Sequence, residues 1–347
     1  MENHFAKYLA FVRTAERGSF TKAAEDLNYA QSSVSKMIAD LEKDWGTVLL
    51  RRGHNGVCLT PQGERILPLV RAVLNDNREL EEHICSMHGL QTGIVRIGTF
   101  ASVAIHRLPA IMESLQKDCP GIECKMLLGD YGEVERWIDE GRVDCGFLRL
   151  PADPSLDTVL LERDEYKVVL PAAHPLAAQD TVDVEQLNGV PFLLLEHGGK
   201  TEVTELLEAA GVRPDIRFTT WEDFAILAMA ERGLGVGILP SLILHRCAYR
   251  VAIRPLTVPY YREIGFAVKS RERLSPATRK FIEYLPFGED NSAVEKSKST
   301  AWRNKSGTIR GSNMPSAFRA LHRRVCTTAG TNMIGNGIPN CGALPQK

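Results

Sequence analysis

Long apolar runs are missing from this chain. No stretch of its 347 residues reaches the roughly 18 consecutive apolar residues that a membrane span needs. Its first residues, Met1-Glu2-Asn3-His4, lack the basic-then-apolar profile of a secretory leader. The expectation is a cytoplasmic protein with no membrane partner. Paired cysteines are missing too: of eight cysteines none forms a CxxC pair, and the nearest two, Cys119 and Cys124, have no His at ligand spacing. That points to ordinary thiols in a reducing compartment, with redox sensing or metal binding as the minor alternative. No metal site and no cofactor are expected.

A basic excess is the third absence. The formal net charge is −1, divided into −7 over residues 1–285 and +6 over residues 286–347. The first 65 residues are nearly neutral, so any case for nucleic-acid binding rests on where the charges sit. Enzyme signatures are also lacking. Gly233-Leu234-Gly235-Val236-Gly237 has neither the GxGxxG spacing nor a preceding strand. No nucleophile–base spacing or metal cluster supports Cys145 or His174 as catalytic, and no catalytic residue is assigned. The length suits two or three domains.

What is present begins with helices. Phe5, Leu9, Val12 and Ala15 form one helical face that ends at Gly18. Thr21 is a plausible N-cap for a short helix, Lys22 to Leu27, burying Ala23, Ala24 and Leu27. A third helix is predicted from about Gln31 to Asp44, with Val34, Ile38 and Leu41 inward. Its outward face opens with Gln31, Ser32, Ser33, Ser35 and Lys36, short hydrogen-bonding groups suited to base edges in a major groove. Val48 to Thr60 follows with Asn55-Gly56 at its middle, the signal of a tight hairpin. Arg51, Arg52 and His54 make that hairpin a basic wing able to meet phosphates or the minor groove.

Thr60-Pro61 is a helix start. The helix is predicted to run to about Met87, with Ile66, Val70, Val73, Asn77, Leu80, Ile84 and Met87 at alternating steps of four and three. That is a two-helix seam in which one Asn fixes register, and it predicts a dimer; packing on its own domain is the alternative. Pro68 should bend the first turns.

These residues resemble the LysR-type transcriptional regulators. The likeness rests on Ala23-Ala24-Glu25-Asp26-Leu27, Gln31-Ser32-Ser33-Val34-Ser35-Lys36, Leu41-Glu42, Gly46, Leu49-Leu50, Arg52, Gly56-Val57 and Leu59-Thr60. It implies that Gln31, Ser32, Ser35 and Lys36 face double-stranded promoter DNA and that Arg52 is the wing contact. It also implies a homodimer or homotetramer, and it allows RNA polymerase as a further partner. Two positions depart from the family pattern: Ala30 stands where a Ser or Thr cap is usual, and Asn55 where Arg is usual.

The remainder alternates strands and helices. Strands are predicted at 93–99, 122–128 and 144–148 with helices between, an arrangement for a parallel sheet. A second unit begins near Tyr166, with strands at 168–170 and 192–195 and a helix from Glu202 to Ala210. Thr219 to Asp223 opens another helix, Gly233 to Pro240 is a turn and buried strand, Ile264 to Val268 a strand, and Pro276 to Leu285 a closing helix. Leu108-Pro109, Gly141-Arg142-Val143-Asp144, His174-Pro175-Leu176, Gly233 to Pro240 and Ser275-Pro276 extend the resemblance to about residue 285.

It implies an α/β effector domain of two lobes, like periplasmic binding proteins, joined by two crossing strands behind an all-α winged helix-turn-helix and a long linker helix. An effector between the lobes would meet Thr99, Phe100, Ala101, Ser102, Asp130, Phe147, Arg149, His197, Gly198 and Trp221. Ser102 at a helix start and Arg149 suit an anion, so a small organic acid is expected, although Asp130 opposes it. Plainer roles stay open: Thr99 and Ser102 as helix caps, Trp221 as core, Arg149 as a solvated charge and His197 as an exposed one.

The expected organisation is a DNA-binding domain at 1–60, a linker helix at 61–91 and an effector domain at 92–285. Lobe I would take about 92–163 and 264–285, and lobe II about 166–262. Residues 286–347, rich in Ser, Thr, Asn, Gly and Lys, read as a disordered tail, dispensable or a basic arm. The competing function is a two-lobed solute or transport receptor without a DNA-binding role.

Overall fold

The computed structural model describes residues 4–53, 56–87, 92–196 and 201–286. His54, His197, Gly198 and the tail expected after Pro286 lie outside the described residues. Three helices, α1 (His4–Arg17), α2 (Phe20–Leu27) and α3 (Gln31–Trp45), close around Phe11, Val34, Ile38 and Leu41. Ala23 and Ala24 are buried in the same core, where small side chains let α2 approach its neighbours. The cap of α2 is Ser19, not Thr21: Ser19 is extended and its hydroxyl accepts the Lys22 N–H at 3.4 Å, so the helix begins at Phe20. Ala30 supplies no side-chain cap, and α3 starts on backbone bonds from Ser33 and Val34 to the Ala30 carbonyl.

Antiparallel β1 (Leu50–Gly53) and β2 (Gly56–Leu59) form the hairpin. Glu42 of α3 fixes its position by accepting the N–H groups of Leu49 at 2.7 Å and Leu50 at 3.0 Å. Thr60 caps α4 (Pro61–Met87), accepting the Gly63 N–H at 3.0 Å and donating to the Val48 carbonyl at 2.7 Å. The 27 residues of α4 make a rod about 40 Å long that continues through Pro68. Its first turns cover the open side of the helix trio, so Val70 is 4% exposed and Ile66 packs beside it. These two do not belong to the exposed stripe, which runs through Leu69, Val73, Leu80, Ile84 and Met87. The seam read from Ile66 onward therefore turns inward upstream and outward downstream, with Leu69 taking the outward place. Asn77 donates to Glu81 at 3.1 Å along the helix surface.

Then follow β3 (Gly93–Thr99), α5 (Ala101–His106), α6 (Leu108–Asp118), β4 (Ile122–Leu128), α7 (Tyr131–Asp139), β5 (Cys145–Leu150) and β6 (Asp157–Pro171). The chain continues with β7 (Pro191–Leu195), α8 (Glu202–Ala209), β8 (Asp215–Thr220), α9 (Asp223–Glu231), β9 (Gly237–Pro240), α10 (Ser241–Leu244), β10 (Val251–Pro255), β11 (Tyr261–Val268) and α11 (Pro276–Ile282). β4, β3 and β5 are parallel neighbours, as the β-α-β-α-β alternation requires. The sheet is nevertheless mixed, because β11 returns antiparallel between β5 and β6. The first half of β6 pairs with β11 and the second half with β9 and β10, so one strand runs through both lobes. Phe147, Phe266 and Phe281 centre the first lobe, and Val168, Phe192 and Val236 the second.

Two strands escaped the sequence reading. β8 pairs parallel with β7, and five of its six residues are exposed, so it has no buried face to mark it. Thr219 and Thr220 end this strand instead of opening a helix; α9 starts at Asp223. β10 is half-buried throughout and pairs with the second half of β6.

Candidate nucleic-acid interface and interlobe site

Burial of Val34, Ile38 and Leu41 against α1 and α2 turns the opposite side of α3 outward. Gln31, Ser32 and Lys36 are exposed, and Ser33 and Ser35 half-buried. Arg51 and Arg52 are exposed on β1, opposite Cys58 and Val57. Among the described residues, none of these seven side chains bonds another protein group. Two other cations of the head are paired, Arg17 with Asp26 at 2.5 Å and Lys7 with Asp44 at 3.0 Å. The hydroxyl, amide and ammonium groups of α3 and the two guanidiniums of β1 thus keep their bonding capacity toward solvent.

The second candidate lies where β6 and β11 pass between the lobes. Thr99 is fully buried and its hydroxyl donates to the Phe100 carbonyl at 3.4 Å. Phe100 stands at the N-cap of α5, with no side-chain cap, and packs edge-on to Tyr131. Ala101 is half-buried. Ser102 is 2% exposed, and its hydroxyl accepts from Arg262 at 2.8 Å. Neither Thr99 nor Ser102 is therefore the helix cap.

Other expected residues are drawn elsewhere. Phe147 is 1% exposed and stacks T-shaped on Phe266 at 5.4 Å, so it belongs to the core of the first lobe, not to a cleft wall. Asp130 caps α7, accepting the Glu133 N–H at 2.7 Å while Glu133 bonds back to the Asp130 N–H. Trp221 is 73% exposed, which removes it from the lobe core. Arg149 is neither solvated nor waiting: it meets Glu205 at 2.8 Å and Glu202 at 3.6 Å, both on α8 of the other lobe.

Arg262 and Asp164 are the residues that sequence reasoning missed. Arg262, on β11, donates to Asp164 of β6 at 2.7 and 3.0 Å, to Tyr131 at 2.9 Å and to Ser102, and its guanidinium lies 5.1 Å from the Phe100 ring centre. Asp164 also accepts the Leu242 N–H at 2.9 Å, which ties α10 to the same knot. Both side chains are more than nine-tenths buried. Burial works against the Arg262 charge, but the Asp164 carboxylate, which accepts two of its N–H groups, keeps the guanidinium protonated. Burial pushes the Tyr131 hydroxyl up to about 12, so it stays neutral. Period-two burial was the available signal, since Arg262 shares a strand face with Ile264 and Phe266. A few residues away, His106 of α5 and His245 after α10 lie 6.0 Å apart by ring centres. Burial, and then His245, lower the His106 pKa, and its Nε2 has no hydrogen-bond partner among the described residues.

Among the described residues no group of three or more His, Cys, Asp or Glu side chains is placed to hold a metal, and no helix is long and apolar enough to cross a membrane.

Comparison with known proteins covers both regions. Residues 5–64 match the model of the bacterial regulatory helix-turn-helix protein, lysR family, and residues 88–286 match the LysR substrate binding domain. The chain is 36% identical over 272 residues to a probable HTH-type transcriptional regulator, LrrA, of Synechococcus elongatus, covering 78% of this chain and 92% of that protein. It is 30% identical to the uncharacterized HTH-type transcriptional regulator YvbU of Bacillus subtilis, covering 79% and 94%. Among solved structures, full-length OxyR of Pseudomonas aeruginosa superposes with a TM-score of 0.66 at 21% identity, over 81% of this chain and 97% of that one. Full-length CbnR complexed with its target DNA superposes with a TM-score of 0.60 at 22% identity, over 82% and 99%. At these identities the two structures speak for the fold alone.

Proposed function

The chain belongs to the LysR family of DNA-binding transcriptional regulators with an effector-binding domain, and from that premise we propose which surfaces carry each task. The N-terminal part of α3, with Gln31, Ser32, Ser33, Ser35 and Lys36, enters the major groove of promoter DNA. Arg51 and Arg52 of the hairpin meet the backbone. The observation that carries this reading is the lack of protein partners for these side chains among the described residues, on an exposed face of α3 and its hairpin, whereas Lys7 and Arg17 of the same head are each held by a carboxylate. Recognition helices of this kind read one half-site each, so pairing of two heads is favoured. The exposed stripe Leu69, Val73, Leu80, Ile84 and Met87 supports pairing through α4, with Asn77 beside it, and tetramers are an extension of the same reading.

The effector is a small organic acid that enters at the crossing of β6 and β11. Arg149 is its anchor, reached by displacing Glu202 and Glu205, and Ser102 and Arg262 form the floor. Because those carboxylates bridge from α8 to β5, their release frees one lobe from the other. A ligand shifts the balance of lobe positions only by its differential affinity for them. The protein acts on DNA in the cytoplasm, with RNA polymerase as a further partner, and no catalysis is assigned to it.

Gel-shift titration of the full chain against its promoter, with and without acids from a thermal-shift screen, tests the reading. A ligand at 100 times its Kd stabilises by about 2.7 kcal/mol, an easily read shift. Duplex binding lost on deleting residues 1–90, with acid binding retained, is the expected result. Retained duplex binding in that deletion overturns the assignment of the head.

A further inference from the structure

A cavity of about 460 Å³ lies where α1, the middle of α4 and the edge of the first lobe meet, away from both surfaces assigned above. Its wall is unusually basic. Arg13 and Arg17 come from α1, Arg71 and Arg78 from α4. Arg96, Lys125 and Arg142 come from the lobe, and among the described residues Glu16 is the one carboxylate in the lining. The adjoining cavity on the other side of α4, about 200 Å³, is lined by Asp76, Glu79, Asp139, Glu140 and Asp144 beside three cations, so basicity is not general to this junction.

All of these cations except Arg142 are tethered: Arg13 to Glu16 at 2.9 Å, Arg17 to Asp26 at 2.5 Å and Lys125 to Glu123 at 3.4 Å. Arg71 reaches Glu140 at 2.9 Å and Glu16 at 3.4 Å, and Arg78 and Arg96 converge on Asp144. Yet Glu140 and Asp144 lie outside the basic cavity's lining, and bonding capacity is left over. Among the described residues the Nε–H of Arg71, whose side chain is only 7% exposed, has no hydrogen-bond acceptor, and the buried Nε–H of Arg78 has none either, its nearest carboxylate being Glu82 at 3.8 Å. Arg142 is held by stacking over Trp137 at 5.0 Å, and no carboxylate pairs with it among the described residues. Leu9, Val12 and Leu74 give the same cavity an apolar side.

We propose that this junction binds a small phosphorylated metabolite, its phosphate on the arginines and its carbon skeleton on Leu9, Val12 and Leu74. A phosphate offers three acceptor oxygens and about two negative charges, which several guanidinium forks can share. A single carboxylate would satisfy one fork. The volume falls within the roughly 300–1,000 Å³ of small-molecule sites and exceeds what a bare anion fills. Bound there, the ligand joins the DNA-binding head to the first lobe through a second contact besides α4 itself.

Isothermal titration of the full chain with pyrophosphate and with ribose 5-phosphate, using citrate as the carboxylate control, tests this. At least one phosphorylated probe should bind with a Kd below about 1 mM and about tenfold tighter than citrate. Lys125→Ser with Arg142→Ser should weaken it at least tenfold while leaving the melting curve intact, and Arg142→Lys should recover part of the loss. Ser102→Ala with Arg149→Ala should bind the probe as wild type does, which separates this site from the interlobe one. The proposal is overturned if neither phosphorylated probe binds, if citrate binds equally, or if the Lys125, Arg142 variant binds like wild type. It is also overturned if that variant loses only duplex affinity, since the cations then serve the DNA backbone.

Discussion

Among the described residues Gln31, Ser32, Ser35 and Lys36 stand without side-chain partners on α3, whereas Arg262, Asp164, Ser102 and Tyr131 consume one another's bonds at the interlobe crossing. Both groups are polar, and they sit in opposite solvent environments. An exposed polar side chain keeps water until a partner arrives, so leaving it unpaired costs little. A buried one must be satisfied at folding, because an unpaired charge away from water costs several kcal/mol. The first surface is therefore ready for its partner as it stands. The second can admit a ligand only by exchange, with Arg149 leaving Glu202 and Glu205.

The contrast breaks most visibly at Arg262. Arg262→Met leaves Asp164 buried without its cation and should cost about 3–5 kcal/mol in urea unfolding. Asp164→Leu combined with Arg262→Met should be more stable than either single change, because no charge is stranded. A single-variant cost below about 1 kcal/mol would show that Asp164 is not stranded by the loss of Arg262. Lys36→Ala and Arg52→Ala, in contrast, should change stability by less than about 0.5 kcal/mol. Both should weaken duplex binding, and Arg52→Ala should lower the slope of log affinity against log salt by about one unit if it meets one phosphate. Unchanged gel-shift curves in both variants would discard the groove assignment.

The interlobe bridge sharpens the comparison. Arg149→Ala should abolish the thermal shift given by an acid effector, and Glu202→Gln with Glu205→Gln should enlarge it by removing the internal competitor. An acid that binds the Arg149 variant as it binds wild type puts the pocket elsewhere. The smallest effect concerns His106, whose pKa burial and His245 hold below its ordinary value of about 6.5. As pH falls, the unfolded chain takes up this proton before the folded one. Stability present above pH 6.5 is thus lost as pH falls toward the lowered folded value. His106→Gln should flatten the melting temperature between pH 7 and 5 by one or two degrees at most (about the reading limit). An identical acid slope in both proteins leaves His106 without a titrating role.

The head of the molecule was legible because its signals are local. Ala23-Ala24, Asn55-Gly56 and Thr60-Pro61 each act within a few residues, and elements appear where those signals put them. Thr21 misled because a hydroxyl stood two residues from the true cap, Ser19. Ile66 and Val70 misled because a seven-residue seam and a 3.6-residue core face coincide over two turns and diverge only where the helix leaves its own domain. At the interlobe site, Ser102 and Arg149 could be picked out by position at strand ends. Their partners could not: Arg262 is 160 residues from Ser102, and Glu205 is 56 from Arg149. Whether a charge is answered from within the chain depends on pairings at that range, and no local pattern encodes them.

The long strand β6 has a consequence for the order in which the chain can fold. The second lobe is contiguous in sequence, from the far half of β6 through β10. The first lobe is not: its sheet needs β11 between β5 and β6, and its core needs Phe266 and Phe281. During synthesis β3, β4 and β5 emerge with an unpaired edge at β5 and must wait for more than a hundred residues before β11 arrives. An edge left open that long is prone to association with other chains. Early pairing of β6 with β9 and β10 places the waiting strand beside a finished lobe, so the last arrivals, β11 and α11, close the domain by filling a slot already shaped for them.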